Sequence, residues 1–172
     1  MMFSRQDILE ISGMKVPAYD ALASRGLLPF KVVGGQFGEK HLLKLGMFRA
    51  LGGSGVSQAV AARAVDRGFD DFDSFVADAK APSKAVFFFG VSAVETEPDA
   101  DWHPIFAVWR PGRAMKLAAP RSQDIDTQPP ARMVLIDATK VVSEVLEAAR
   151  RVGRSGRELE AWAVHFHAEV KR

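Results

Sequence analysis

Glycine punctuation constrains this chain more than any other feature. In the first third, glycines at positions 13, 26, 34, 35, 52, 53 and 55 separate stretches in which apolar residues recur at helical spacing. Ser4 followed by Asp7 reads as a capping-box-like start, and Ile8, Leu9 and Ile11 supply an apolar face that Gly13 ends. Pro17 suits the first turn of a second helix, on which Ala18, Leu22 and Ala23 recur up to a stop at Gly26. Two short helices therefore meet across a tight turn. After Pro29, the segment from Phe30 to Phe37 places Val32 and Val33 before a Gly-Gly pair and an aromatic after it, the pattern of a small hairpin. Leu42, Leu43, Leu45, Met47, Phe48 and Leu51 predict a third helix. Gly52-Gly53-Ser54-Gly55 breaks it, and Val56 to Val65 forms a fourth. A short amphipathic piece, Phe69 to Ala79, follows before Pro82.

Beyond Pro82 the pattern turns from helical to extended. Ala85 to Val94 is rich in aromatic and β-branched residues, and Pro104 to Arg110 reads as a second strand that pairs with it as a long hairpin. Pro111 to Ala131 reads as a loop and Met133 to Ile136 as a third strand. Asp137 or Thr139 caps a helix running to about Val152. Ser155 with Glu158 forms another capping box, and Leu159, Trp162, Phe166 and Val170 trace one apolar stripe on a last helix. The expectation is an α+β protein: residues 1–80 as four short helices with a wing hairpin, residues 81–172 as a small antiparallel sheet packed with C-terminal helices.

Composition narrows the chemistry. The chain has 172 residues, 48% hydrophobic and 26% charged, long enough to bury one good core or two small ones. It contains no cysteine, which excludes disulfides, thiolate metal sites and cysteine nucleophiles. No apolar run reaches the roughly 18 residues that span a bilayer, and residues 1–7 lack the apolar core of a signal peptide, so a cytoplasmic protein is expected. The net charge of +2 says little about nucleic acid.

Gly13, followed thirteen residues later by Gly26-Leu27-Leu28-Pro29, resembles the DNA-binding domain of the MerR family of winged-helix regulators. Phe37-Gly38-Glu39-Lys40-His41-Leu42 looks like the passage from that family's wing into its third helix, and Gly55-Val56-Ser57-Gln58 like the turn into its fourth. The resemblance ends near Val65. Small excisionases share the scaffold with looser motifs. It implies a winged helix-turn-helix that lays its second helix in the major groove and grips phosphates with backbone amides and basic side chains. Two departures stand out: Asp20, where the family carries a recognition-helix arginine, and Gly35-Gln36, where its wing carries arginines. The residues expected at DNA are Ser4, Arg5, Lys15, Tyr19, Lys31, Gln36, Lys40 and Lys44, with Lys15 and Tyr19 on one face at i and i+4. Tyr19 has the alternative of packing in the core.

The remaining features carry less. Phe87, Phe88, Phe89, Phe106, Trp109 and Trp102 suit a small-molecule pocket, but a plain sheet core needs the same residues. His165 and His167, at i and i+2, point to different sides of a helix, and with His103 far away they build no metal site. Arg150, Arg151, Arg154 and Arg157 form a basic cluster that suits either a linker or a second nucleic-acid contact. Gly52-Gly53-Ser54-Gly55 lacks the lysine of a phosphate-binding loop. The expected function is a DNA-binding transcriptional regulator with no enzymatic activity and no cofactor. It would act as a homodimer on double-stranded DNA, with RNA polymerase, a recombinase or another protein as further partner. An excisionase-like architectural protein is the first alternative, and an interaction module that has lost DNA binding is the second.

Overall fold

In the computed structural model, residues 2–32, 34–78, 85–93, 101–119, 130–154 and 156–165 are described. They form an α+β fold with six helices and two antiparallel sheets. β1 (Met2–Phe3) leads into α1 (Arg5–Ser12), whose capping box is complete: Asp7 N donates to Ser4 Oγ at 3.2 Å, and Ser4 N donates to Asp7 Oδ2 at 2.8 Å. Gly13 ends α1 in the left-handed region at φ 63°, a backbone that L side chains resist. α2 (Val16–Ser24) follows with Pro17 in its first turn and Gly26, φ 65°, just beyond it.

The wing expected over Phe30 to Phe37 takes another form. Gly34 and Gly35 both have positive φ, 64° and 68°, as the Gly-Gly pair predicted. Lys31 and Val32 carry no strand, and Val33 lies outside the described residues. The strand after the turn, β2 (Phe37–Gly38), pairs instead with β1, Phe3 opposite Phe37. Burial explains the choice. Phe3 and Phe37 both enter the core, and the edge of Phe30 meets Phe37 at a centroid separation of 6.1 Å.

Two of the four helices are long, not short. α3 spans Glu39–Gly53, and α4 spans Gln58–Asp78 as one helix of 21 residues where the sequence suggested two pieces. Gly68 lies between the two expected pieces, Val56 to Val65 and Phe69 to Ala79. It lies inside α4 because β4 crosses there: a Cβ on Gly68 would stand 2.5 Å from Pro104 Cβ and 2.9 Å from Pro104 Cγ. This glycine serves close helix–sheet approach and does not end the helix.

The main sheet holds four strands, β3 (Val86–Ala93), β4 (His103–Trp109), β5 (Lys116–Ala118) and β6 (Arg132–Asp137), in the order β5-β4-β3-β6. The β3–β4 hairpin and β6 match expectation. β5 falls within the segment taken as loop, and three residues with one aliphatic side chain between Lys116 and Ala118 leave little periodicity to detect. Asp137 caps α5 (Ala138–Arg151), accepting from Lys140 N at 2.9 Å, while Thr139 Oγ1 accepts from Phe87 N at 3.0 Å and ties the helix to the sheet. Of the last helix, α6 (Arg157–His165), Leu159 and Trp162 are buried; Ser155, Phe166 and Val170 lie outside the described residues, and the Glu158 side chain is not described. The expected Ser155–Glu158 box therefore falls outside the described residues; at the start of α6, Leu159 N donates to Glu39 Oε2 at 2.6 Å.

One hydrophobic cluster runs through both halves of the chain. Phe72 of α4 meets Phe89 and Phe106 of the sheet at 5.3 and 5.4 Å, Phe75 meets Phe87 at 6.3 Å, and Phe69 stacks on Trp162 at 5.0 Å. Phe87, Phe89 and Phe106 are thus core residues rather than pocket lining. Phe88 is half-buried, Trp109 is exposed, and Trp102 lies under the Arg132 guanidinium at 4.9 Å.

Candidate nucleic-acid interface

α2 is a nine-residue helix with only two buried side chains, Tyr19 and Leu22. Three residues, Gly13-Met14-Lys15, join it to α1. Its orientation is fixed by those two anchors and by Arg5, which pairs with Asp20 and lies over the Tyr19 ring at 5.3 Å. Burial raises the Tyr19 hydroxyl above its ordinary pKa, so the ring remains neutral and acts as packing. Of the two roles weighed for Tyr19, burial favours the core. The rest of α2 is small and solvent-facing: Pro17, Ala18, Ala21, Ala23 and Ser24 are all exposed.

Between α2, the C-terminal part of α3 and the start of α4 lies an open groove of about 500 Å³. Lys15, Arg25 and Arg49 line it, together with Gln58 and apolar residues including Leu22 and Phe48, and no carboxylate is among its lining residues. Arg25 is positioned at two points, Nε donating to Ala21 O at 2.9 Å and Nη2 to Gln58 Oε1 at 3.3 Å. Neither Lys15 nor Arg49 forms an ion pair among the described residues. Three cations without an acidic neighbour on one concave surface make a site for anionic groups.

The eight residues picked from sequence do not share one surface. Lys15 lines the groove. Ser4 is occupied by the capping box and Arg5 by Asp20. That ion pair also changes the meaning of Asp20, whose charge is opposed by a neighbouring guanidinium. Gln36 is exposed beside the Gly34–Gly35 turn and shares a cleft of about 350 Å³ with Ser4, Asp7 and Arg154. Lys31 is exposed. Lys40 and Lys44 are directed at α4: Lys40 Nζ lies 3.7 and 3.3 Å from Asp70 and Asp73, and Lys44 Nζ lies 3.8 Å from Asp66 and 5.5 Å from the Phe69 ring centre.

Sequence reasoning missed Arg25, Arg49 and Gln58. Arg25, immediately before the Gly26 stop, was within reach of a helix-end argument. Arg49 and Gln58 come from other elements, and only the packing of α3 and α4 brings them to α2. Of the C-terminal basic cluster, Arg150 pairs with Glu160 and Arg154 Nε lies 3.6 Å from Asp7 Oδ1, whereas Arg151 and Arg157 are exposed. His103 stands 3.5 Å from Asp101, the His165 side chain is not described, and His167 lies outside the described residues; those residues contain no group of metal-ligating side chains. No described helix is long and apolar enough to cross a membrane.

No protein-family model matches this chain, and no curated protein matches it.

Proposed function

We propose that the chain is a sequence-reading DNA-binding regulator, with α1, the Gly13 turn and α2 as a helix-turn-helix of the winged, MerR-like kind. One observation carries this reading: α2 is held by two buried anchors, presents a small-residue outer face, and is flanked by Lys15, Arg25 and Arg49 in a groove free of carboxylates. That combination suits a helix laid in a major groove, because small side chains let it sit close, cations at its edges grip phosphates, and longer polar side chains beside it, Lys15 first among them, can reach base edges. The Gly34–Gly35 turn with Gln36 serves as an abbreviated wing. Regulation requires no catalytic group, and the chain acts on double-stranded DNA as a homodimer.

The test is selection of bound fragments from a random duplex library by the full chain. Fluorescence anisotropy on the best fragment across a salt series follows, with Lys15→Ala, Arg25→Ala and Gln36→Ala alongside. Loss of a cation that grips phosphate is expected to weaken binding on all sequences and lower the salt slope by about 1. Failure to enrich any sequence, with salt slopes identical in all variants, would refute the reading. DNA bending with cooperative binding to direct repeats and no effect on transcription would assign the excisionase-like role instead.

A further inference from the structure

A second cavity, of about 290 Å³, lies where α1, α3 and α5 meet. Its apolar walls come from Ile11, Leu42, Val141 and Val145, and its charged lining residues are Arg49 and Glu144. The meeting of α3 and α5 depends on Gly46, where a Cβ would stand 2.9 Å from both Val141 Cγ1 and Val145 Cγ2. The volume is at the small end of ligand sites, which begin at about 300 Å³. Opposite charges on an apolar surface define the occupant's chemistry. A purely anionic ligand meets Glu144, a purely cationic one meets Arg49, and a neutral apolar one pairs with neither.

We infer that this cavity binds a small zwitterion with an apolar side chain, an α-amino acid of the aliphatic or aromatic kind. Its carboxylate faces Arg49 and its ammonium faces Glu144. Neither group is committed to a strong internal contact. Arg49 has no ion pair among the described residues, and Glu144 has only an exposed i,i+4 contact with Lys140 at 3.8 Å, a kind of pair that contributes little.

Arg49 also lines the groove beside α2, so one guanidinium borders both spaces. An amino-acid carboxylate that holds Arg49 withdraws it from a DNA phosphate. This coupling rests on the DNA-binding reading above, whereas the cavity's own chemistry does not. Coupling of this kind is reciprocal: DNA weakens amino-acid binding by the same factor.

Isothermal titration of the full chain with L-leucine, L-valine and L-phenylalanine, without DNA, tests the cavity. At least one is expected to bind with millimolar or better affinity, weakened about tenfold or more by Glu144→Gln and by Arg49→Met. The matching carboxylic acid lacking the amino group is expected to bind about tenfold more weakly than the amino acid to the wild type, and more tightly to Glu144→Gln than to the wild type. Absence of heat from all three amino acids at millimolar concentration overturns the proposal, as does binding indifferent to both substitutions. Repeating the DNA titration with saturating amino acid reads the coupling separately. Weaker DNA binding by the wild type, with no change in Arg49→Met, supports it, and an equal effect on both proteins removes Arg49 as the link.

Discussion

Gly68→Ala is a change whose sign separates two physical arguments. In a helix interior, glycine replaced by alanine is stabilising by about 1 kcal/mol, since alanine loses less backbone freedom on folding. At Gly68 the new methyl group would stand 2.5 and 2.9 Å from Pro104 Cβ and Cγ, with Phe106 Cε1 at 3.5 Å. Carbon pairs settle at about 3.5–4.0 Å, so α4 must retreat from β4 by roughly 1 Å or the proline must move. Pro104 has no rotamer to change, and its strand is held on both sides, by β3 and by β5. Retreat opens the Phe72–Phe89 and Phe72–Phe106 contacts on the same face, and a gap of that size forfeits about a quarter to a half of each contact's attraction. Overpacking of this kind costs about 1–3 kcal/mol, which leaves a net loss of up to about 2 kcal/mol after the helix gain of about 1 kcal/mol. Urea denaturation followed by circular dichroism measures it. With a slope of about 1–3 kcal/mol per molar, each kcal/mol of net loss lowers the midpoint by roughly 0.3–1 M. Gly52→Ala, an exposed helical position with nothing within 4 Å, shifts the midpoint upward, by about 0.5–1 kcal/mol. A Gly68→Ala protein more stable than the wild type, with a gain like that of Gly52→Ala, would show that α4 does not press on β4.

Ser4→Ala removes the N-cap of α1 and is expected to destabilise by about 1 kcal/mol at neutral pH. The partner Asp7 has its pKa lowered, chiefly by the backbone N–H and then the hydroxyl of Ser4, so its contribution is present above pH 3.8 and disappears as pH falls through the lower folded value. The backbone N–H persists in Ser4→Ala, so as pH falls below 3.8 the difference between wild type and variant shrinks only by the share of the bond from the Ser4 hydroxyl to Asp7 Oδ2, and a constant difference would contradict that bond. His41, held between Phe30 and Phe37 at 4.8 and 6.0 Å, has its pKa lowered by burial and then by the Lys44 charge. Its neutral form belongs to the folded state, so its contribution to stability is complete above pH 6.5 and declines as pH falls through the lower folded value. Proton NMR titration of the His41 ring in the folded chain should give a midpoint below that of an unstructured peptide; an equal or higher midpoint refutes the assignment.

What could be read from the sequence followed from interactions between near neighbours. Ser4 and Asp7, Gly13, Pro17, Gly26 and Asp137 each act within one helical turn of their own position, and each does in the structure what its local chemistry dictates. Apart from β5, whose three residues are too few to show a period, the failures are long-range. The continuity of α4 across Gly68 is understood only when Pro104, far along the chain, is placed against it. The Gly34–Gly35 turn has the expected backbone, but the partner of the strand that follows is Met2–Phe3 at the chain's beginning. The cap on α6 comes from Glu39, 120 residues away, whose buried carboxylate stands where a Cβ on Gly156 would collide with it at 1.9 Å.

The same distinction governs the candidate interface. Lys40 and Lys44 were chosen because they are basic and lie next to the predicted wing, yet each has an aspartate of α4 opposite it. The charge of a side chain is fixed by sequence, but its availability to a ligand depends on what packs against it. α4 carries Asp66, Asp70 and Asp73 on the face that meets Lys44 and Lys40, and this ladder neutralises the α3 lysines at modest energetic gain. Around α2 the reverse holds: Arg5 compensates Asp20, and three further cations remain without acids. The availability of a cation to a polyanion is therefore not given by the count of 23 basic residues against 21 acidic ones, and Lys15, Arg25 and Arg49 are three that stand together beside α2. If Asp66, Asp70 and Asp73 were changed to asparagine together, the released lysines would raise non-specific, salt-sensitive DNA affinity without improving discrimination between sequences, because phosphate contacts position a protein and base contacts specify its site.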